Sequence, residues 1–283
     1  MKVLITGCRG NLAKTFMSKY SQEYRFVGTC RNKDLKENEV FWDIGETDLE
    51  LYGEVDVVIH YAAFSKPYGC EQNPEKAFAV NCTGTKELLE WAKEHGVKKF
   101  VYISTGSVYG LSNEKHKEDD KLDPSGIYGS TKRMGEELCK DYSNDFQVII
   151  ARPFFPYGPE TSKGRLIDMF IGRIKEGKEL TLNKESKPRM NPIFVDDFNE
   201  ALNSLILKVE DDYSVYNLAG NDSVSIKQLI ELIGKILEKE VKLKQTENEA
   251  YDLVGDISKL KILFTPKYSL EEGLKVTVDK WVE

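Results

Sequence analysis

Short, wholly apolar segments alternate with amphipathic segments along the first half of the chain. Val3 to Ile5 is an uninterrupted apolar run that ends in Thr6-Gly7. Such a run predicts a strand buried on both faces, whereas apolar residues at every third or fourth position predict a helix. By these criteria we predict further strands at 24–29, 55–60, 99–104 and 147–151, and helices at 11–20, 83–95 and 127–142. This alternation is typical of an α/β protein with a doubly wound parallel sheet.

The pattern changes after Arg152. Three prolines, at positions 153, 156 and 159, follow within a few residues and predict a loop that leaves the sheet. Beyond it we predict helices near 165–177, 196–207, 225–238 and 269–282, with short strands near 179–182 and 213–218. We therefore expect a dinucleotide-binding domain over 1–157, to which 189–219 contributes. A smaller mixed α/β substrate lobe is expected over 158–283.

The composition excludes several classes of protein. Formal charge is −7 over 283 residues, which disfavours binding to nucleic acid or to an anionic membrane. No segment approaches the roughly 18 apolar residues of a membrane span, and the chain opens on a strand, so we expect a cytoplasmic protein. The five cysteines include no C-x-x-C pair, and the three histidines lack metal-ligand spacing. We therefore predict neither a disulfide framework nor a metal site.

A glycine-rich segment joins the first strand to the first helix. Gly7-Cys8-Arg9-Gly10-Asn11-Leu12-Ala13 matches G-x-x-G-x-x-[GA], a relative of the dinucleotide fingerprint of Rossmann-type folds. Gly7 permits a tight turn, Gly10 lets the backbone approach a pyrophosphate, and the helix N-terminus supplies N–H groups. A glycine turn with no ligand is the alternative. The order of strand, loop and helix favours cofactor binding, with Asn11 and Leu12 at the same loop.

The end of the second strand bears on the choice of cofactor. An NAD site usually carries a carboxylate there for the adenosine ribose, but this chain has Gly28 to Asn32 without one. Arg9 lies in the glycine loop and Arg31 at the strand end, and two guanidinium groups suit a 2′-phosphate. Two solvated arginines would be the simpler interpretation. We predict NADP(H), with NAD(H) as the alternative.

Tyr128 and Lys132 form a Tyr-x-x-x-Lys pair on the predicted helix at 127–142. Positions i and i+4 share a helix face, so the phenol and the ammonium would point the same way. A nearby ammonium stabilises the phenolate and lowers the pKa of a tyrosine from about 10. The pair therefore predicts a proton donor and acceptor that works near neutral pH.

Many segments of the chain together resemble the extended short-chain dehydrogenase/reductase family, in its nucleotide-sugar epimerase, dehydratase and reductase branch. The segments that carry the resemblance are the glycine loop, Asp43-Ile44, His60-Tyr61-Ala62-Ala63, Asn81-Cys82-Thr83-Gly84-Thr85, Ile103 to Gly110, Tyr128 with Lys132, Arg152 to Pro159, Asn191 to Asp197, Tyr216 to Gly220 and Asp256 to Lys259.

The resemblance implies roles for these residues. Cofactor contacts are implied for Asp43 and Ile44 at the adenine, and for Tyr61, Ala62, Ala63, Asn81, Tyr128 and Lys132. Thr105 would hydrogen-bond the reacting oxygen of the substrate, Tyr128 would exchange a proton with it, and Lys132 would hold the nicotinamide ribose. Substrate contacts are further implied at Ser107, at Phe155, where relatives carry an asparagine, and at Arg189, which matches an arginine that grips a diphosphate.

Three functions compete on this sequence. Dehydration is disfavoured because Gly106 and Ser107 replace the Asp-Glu pair of family dehydratases. NADPH-dependent reduction of a nucleotide-activated 4-keto-6-deoxyhexose is our first prediction. An NAD-dependent nucleotide-sugar C4-epimerase is the alternative, and a non-catalytic NADP-sensing module is a more remote one. The resemblance also implies a homodimer formed through the helices at 83–95 and 127–142.

Overall fold

The computed structural model describes residues 1–44, 49, 53–159, 164–183 and 188–281. The strands are β1 (Lys2–Thr6), β2 (Arg25–Cys30), β3 (Glu39–Phe41), β4 (Val57–His60), β5 (Lys99–Ile103), β6 (Lys115–His116), β7 (Gln147–Pro153), β8 (Leu180–Leu182), β9 (Arg189–Met190), β10 (Tyr213–Leu218), β11 (Val224–Ser225), β12 (Leu243–Gln245) and β13 (Val254–Gly255). The α-helices are α1 (Asn11–Lys19), α2 (Pro67–Gln72), α3 (Pro74–Phe78), α4 (Gly84–Glu94), α5 (Ile127–Asp141), α6 (Leu166–Lys175), α7 (Val195–Lys208), α8 (Ile226–Leu237), α9 (Ser258–Lys261) and α10 (Leu270–Asp279).

Seven strands form the main sheet, in the order β10-β7-β5-β4-β1-β2-β3. The pairs from β3 through to β7 are all parallel. The strand order reverses direction between β1 and β4, where doubly wound folds bind ligands at the carboxyl ends of the strands. The predicted fold class is confirmed.

The chain divides into two compact units. The first comprises Met1–Gly110, Lys121–Arg152 and Leu202–Tyr216, and the second comprises Leu111–Asp120, Pro153–Ala201 and the chain from Asn217 onward. The sequence analysis placed the first boundary at 157 and expected 189–219 to contribute. In the structure the shorter stretch 202–216 contributes, because β10 adjoins β7 at the sheet edge and Lys99 Nζ donates to the carbonyl oxygens of Ile206 and Val209.

The core of the first unit lies on the faces of the parallel sheet. Leu4, Ile5, Ile59 and Val101 are fully buried, as are Leu88 and Leu89 on α4. Burying one such side chain contributes about 1.5–3 kcal/mol, and both faces of the strands are covered, as the apolar runs predict. This core fixes the strand ends from which the candidate site is built.

The second unit holds the smaller mixed part of the chain. Its described residues form three two-stranded sheets, from β11 with β9, β12 with β8 and β13 with β6. The helix α8 begins at a capping box, in which Ser225 accepts from the Gln228 amide and the Gln228 side chain accepts from the Ser225 amide. Among the described residues, no helix is long and apolar enough to cross a membrane.

Candidate active site

The glycine loop between β1 and α1 has the backbone that a dinucleotide requires. Gly7 has a φ of 64°, and a Cβ there would lie 3.0 Å from the Cα of Ala62. Gly10 is the N-cap of α1, which has neither a side-chain cap nor an acidic residue in its first turn. The amide groups of the first turn, which include Asn11 and Leu12, are therefore not held by a capping side chain. These features fit a pyrophosphate at the start of α1.

A chain of buried hydrogen bonds positions the segment after β4, which contains Tyr61, Ala62 and Ala63. The amide of Ala62 donates to Thr6 Oγ1 at 3.1 Å, and Thr6 Oγ1 lies 2.6 Å from His60 Nδ1. On the other side of the ring, His60 Nε2 lies 3.0 Å from Thr85 Oγ1. The Thr85 hydroxyl in turn donates to the Asn81 carbonyl at 2.8 Å.

These partners assign a single protonation state to His60. Thr85 has given its one proton to a carbonyl, so the Nε2 of His60 must carry the hydrogen of that contact. Nδ1 is then free to accept from the Thr6 hydroxyl. Burial, reinforced by the charge of Lys132, holds the pKa of His60 well below its ordinary value of 6.5. The ring is neutral and orders the polar groups of three elements.

Asn81 ties the same segment to α5. Its Oδ1 accepts from the Phe64 amide at 2.8 Å, while Nδ2 donates to the Phe64 carbonyl at 3.1 Å and to Thr131 Oγ1 at 3.0 Å. It sits in a π-helical turn, Ala79–Thr83, and such turns are frequent at functional sites. The sequence analysis expected Asn81 to contact the cofactor. In the structure its side-chain amide ties two elements together, and the cofactor contact stays a prediction.

The residues for which the resemblance implies catalysis or substrate contact include four at the end of β5 and in the first turns of α5, namely Thr105, Ser107, Tyr128 and Lys132. We call them the catalytic face, after these implied roles. Thr105 caps a short 3₁₀ turn, Gly106–Val108, by accepting from the Ser107 amide at 3.2 Å. Its hydroxyl also donates to Ser107 Oγ at 3.3 Å. Tyr128 is half-buried one helical turn before Lys132, which is only 1% exposed. The helix predicted for the Tyr/Lys pair is confirmed.

The ammonium of Lys132 rests on an aromatic ring. Its Nζ lies 3.9 Å from the ring centroid of Tyr102, a cation–π contact. Burial lowers the pKa of Lys132 to about 8, so the amine remains mostly charged at neutral pH. Gly135, on the next turn of α5, makes room for this ring, because a Cβ there would overlap the Tyr102 hydroxyl.

A buried ion pair lies behind the catalytic face. The Arg152 guanidinium donates to both carboxylate oxygens of Glu136, the shortest contact being 2.6 Å, and the two side chains are 4% and 3% exposed. Arg152 also donates to the Tyr109 hydroxyl at 2.7 Å, and Ser104 donates to Glu136. Ser104 directly precedes Thr105. The network therefore joins the end of β5 to α5, and the sequence analysis did not identify Glu136.

The region where the sequence analysis expected the adenosine differs from the prediction. It contains Cys8, Arg9, Cys30 and Glu39, and we call these four residues the adenosine end. Arg9 donates to the Glu39 carboxylate through Nε at 3.1 Å and through a terminal nitrogen at 2.6 Å. Hydrogen bonds from Arg9 lower the pKa of Glu39 to about 2. Arg31 is exposed. The expected clamp of Arg9 and Arg31 is therefore not formed, and the structure does not support a preference for NADP(H).

The remaining predicted residues belong to other elements of the structure. Ile44 is buried and fits against Gly84, where a Cβ would overlap it, and Asp43 precedes it after β3. Phe155 and Arg189 belong to the second unit. Phe155 has a φ of 45°, unusual for a residue other than glycine. Arg189 is exposed, and its guanidinium donates to the Ser223 carbonyl at 2.9 Å.

The extended short-chain dehydrogenase/reductase class is defined by a parallel sheet with a glycine-rich dinucleotide loop after its first strand. It also carries a threonine at one strand end and a tyrosine and a lysine on the adjoining helix face, as this structure does. Within that class the chain belongs to the NAD dependent epimerase/dehydratase family, whose family model matches residues 3–219. The resemblance stated from sequence is confirmed. The protein is an enzyme of the NAD-dependent epimerase/dehydratase type.

Several individual relatives of the chain are nucleotide-sugar enzymes. The chain is 32% identical over 243 residues to a UDP-glucuronate 4-epimerase of Thermodesulfobacterium geofontis, covering 83% of this chain and 74% of that protein. It is 28% identical to UDP-glucuronic acid decarboxylase 6 of Arabidopsis thaliana, over 97% and 87% of the two chains. Among solved structures, the UDP-glucuronic acid 4-epimerase of Bacillus cereus in complex with UDP-glucuronic acid and NAD matches with a TM-score of 0.88. Its identity is 27%, and the match covers 99% of this chain and 98% of that one.

Proposed function

We propose that this protein is an NAD-dependent nucleotide-sugar 4-epimerase, with UDP-glucuronate as the substrate to test first. The observation that carries the choice of cofactor is the ion pair between Arg9 and Glu39. The pair occupies the Arg9 guanidinium that was expected to bind a 2′-phosphate. Glu39 is a carboxylate that would suit the ribose hydroxyl groups of NAD. The relatives named above include 4-epimerases at 32% and 27% identity. Together these points favour epimerisation over the NADPH-dependent reduction that the sequence alone favoured.

The catalytic face supplies the proton chemistry of such a reaction. Bound NAD would supply the hydride chemistry, accepting a hydride at the sugar and returning it. We assign to Tyr128 the transfer of the hydroxyl proton, and to Thr105 a hydrogen bond to the same oxygen. Lys132 lies one helical turn after Tyr128 on α5 and keeps a positive charge at neutral pH, since its pKa is about 8. This charge favours the phenolate form that abstracts the proton.

The absence of an acid–base pair after Thr105 fits a reaction that neither adds nor removes water. Gly106 and Ser107 occupy those positions, and neither side chain can act as a carboxylic acid. An epimerase needs only one proton acceptor and donor at one oxygen, because the proton and hydride that leave are both returned. The single tyrosine of the catalytic face meets this requirement.

The test is to incubate the purified full chain with UDP-glucuronate and NAD and to separate the products by anion-exchange chromatography. We expect the C4 epimer to form without net production of NADH. Tyr128→Phe should reduce turnover by about 10²–10⁴-fold while NAD still binds. Tyr142→Phe is the matched control, since Tyr142 is a half-buried tyrosine at the other end of α5.

Other products would contradict the proposal in recognisable ways. Release of carbon dioxide with a UDP-pentose would indicate decarboxylation, the activity named for the Arabidopsis relative. Conversion of a nucleotide 4-keto-sugar with consumption of one NADPH per product would restore the reductase. The homodimer implied by the resemblance stays a prediction, which light scattering of the purified protein would check.

A further inference from the structure

Two thiols and a carboxylate meet at the adenosine end. The Sγ atoms of Cys8 and Cys30 and a carboxylate oxygen of Glu39 all lie within 4.8 Å of one another. They come from the glycine loop, the end of β2 and the start of β3, so the cluster has no compact sequence spacing. This explains why the cysteine pattern predicted no metal site.

Two sulfur–oxygen distances in the cluster are close to those of a metal centre. Cys8 Sγ lies 3.7 Å from Glu39 Oε1, and Cys30 Sγ lies 3.9 Å from Oε2. In a tetrahedral zinc site with Zn–S of about 2.3 Å and Zn–O of about 2.0–2.2 Å, sulfur and oxygen ligands are about 3.6 Å apart. The three ligands therefore need only small rotations to share one ion.

Both thiols of the cluster are buried, and a glycine of β2 leaves room for one of them. Cys8 is 4% exposed and Cys30 is 6% exposed. Gly28 leaves space for the Cys8 side chain, because a Cβ there would lie 2.7 Å from Cys8 Sγ. The amide of Cys8 donates to the Thr29 carbonyl at 3.1 Å, which fixes the loop against β2. Both thiols thus have defined positions.

We propose that Cys8, Cys30 and Glu39 form a binding site for one thiophilic divalent cation, of which Zn²⁺ is the type, and that this ion and the dinucleotide exclude each other. Thiolate ligands select zinc-like ions over Mg²⁺ or Ca²⁺. Three protein ligands leave one coordination position for water. Mutual exclusion rests on the proposed function, since the end of the second strand is where a dinucleotide fold holds the adenosine ribose.

Two groups oppose binding and set its conditions. Arg9 holds the Glu39 carboxylate, so it must release an oxygen; its side chain is 27% exposed and has room to move. The thiols must also lose their protons when they bind a metal. Arg9→Gln should therefore strengthen metal binding, because it removes the group that competes for the Glu39 carboxylate.

The experiment is a titration of the reduced, full-length protein with Cd²⁺, followed by the ultraviolet thiolate-to-metal charge-transfer absorption. We expect saturation at one ion per chain. Cys8→Ser and Cys30→Ser should each weaken binding by more than about tenfold, and Glu39→Gln should weaken it by a smaller factor. Cys70→Ser is the matched control, because Cys70 is equally buried and its thiol contacts only the Phe64 carbonyl among the described contacts.

A second measurement does not depend on the variants folding. X-ray absorption of the zinc-loaded wild-type protein should show two sulfur ligands at about 2.3 Å together with lighter ligands at about 2.0–2.2 Å. An absorption signal that survives both serine substitutions, or a zinc spectrum without sulfur, would overturn the metal site.

Addition of NAD tests the second part. Saturating NAD should raise the apparent dissociation constant for Cd²⁺, and Zn²⁺ should raise that for NAD. If both bind with unchanged affinity, mutual exclusion is wrong although the metal site and the enzyme assignment stand. If the protein binds the metal but no NAD, the proposed cofactor fails and the metal site is unaffected.

Discussion

The catalytic face and the adenosine end belong to the same unit, but they are built in different ways. Behind the catalytic face, the Asn81 amide, the His60 ring and the Glu136–Arg152 pair all have buried protein partners. At the adenosine end, a partly exposed Arg9 meets a carboxylate supplied by β3. Under the proposed function, the comparison teaches that residues for proton transfer at one oxygen are held in fixed positions, whereas a ribose would be held by polar groups from more than one strand.

The largest effect should come from breaking the buried pair behind the catalytic face. Glu136→Gln leaves the Arg152 guanidinium buried without a compensating charge, and we expect a loss of about 3–5 kcal/mol in the free energy of unfolding. Glu137→Gln is the neighbouring control, because its pair with Arg133 is 42% and 61% exposed and should be worth under about 1 kcal/mol. Urea unfolding measures both.

Equal losses in the two variants would show that burial does not distinguish the pairs. Replacing both partners of the buried pair with methionine adds a further check. Such a double variant should recover much of the lost stability, since no unpaired charge remains. Turnover of the double variant should remain low, because Ser104 and α5 would no longer be joined beside Thr105.

The next effect concerns the ring beneath Lys132. Gly135→Ala would force Tyr102 to move, and overpacking of this kind costs about 1–3 kcal/mol. Turnover should also fall, because the ring supports the ammonium of Lys132.

Gly172→Ala on α6 is the matched control. A Cβ there would make an ordinary contact of 3.5 Å with Trp281, so alanine should stabilise that helix by about 0.5–1 kcal/mol. Unaltered stability and turnover in Gly135→Ala would contradict the packing argument.

The neutral ring of His60 predicts a pH dependence of stability. Its pKa in the folded protein is below the unfolded value of 6.5, so on acidification the unfolded state takes up a proton first. The stability from His60 is therefore complete above about pH 6.5 and falls below it, by up to about 1.4 kcal/mol per pH unit. We expect His60→Gln to flatten this slope.

The measurement is urea unfolding of wild type and His60→Gln at about pH 8 and about pH 5.5. His95→Gln serves as control, and the contribution of His116, whose pKa is lowered by burial, is common to all three proteins. An equally steep slope in the His60 variant would remove this residue from the acid sensitivity.

The parts that were predicted from sequence depend on local patterns. Apolar runs gave β1, β4, β5 and β7, and periodicity gave α4 and α5 to within a residue or two. The Tyr128–Lys132 pair needed only helical spacing. Each of these inferences uses residues that are close together in sequence, and the parallel sheet then follows from their alternation.

The parts that were missed depend on distant residues. Glu39 reaches the adenosine end only because β3 pairs with β2 in the register Gly28 to Glu39, which no local pattern reveals. The short helices α2 and α3 were not predicted because each is six residues or fewer. Pro67 and Pro74 at their first positions were the available signal. The partners of Asn81 and Glu136 likewise appear only once the fold brings the elements together.

The smallest predicted effect addresses cofactor preference at the adenosine end. Glu39→Gln frees Arg9 from its ion pair, so the guanidinium becomes available to a 2′-phosphate. We expect affinity for NADPH to rise by up to about tenfold, or about 1.4 kcal/mol, while affinity for NADH changes less. Arg31→Gln is the control, because Arg31 is exposed. Fluorescence titration with NADPH and NADH measures the wild type and the Glu39→Gln, Arg31→Gln and Arg9→Gln variants. If instead the wild type prefers NADPH and Arg9→Gln abolishes this preference, the 2′-phosphate must displace Glu39 from Arg9. The adenosine end would then bind the phosphate by rearranging its own ion pair.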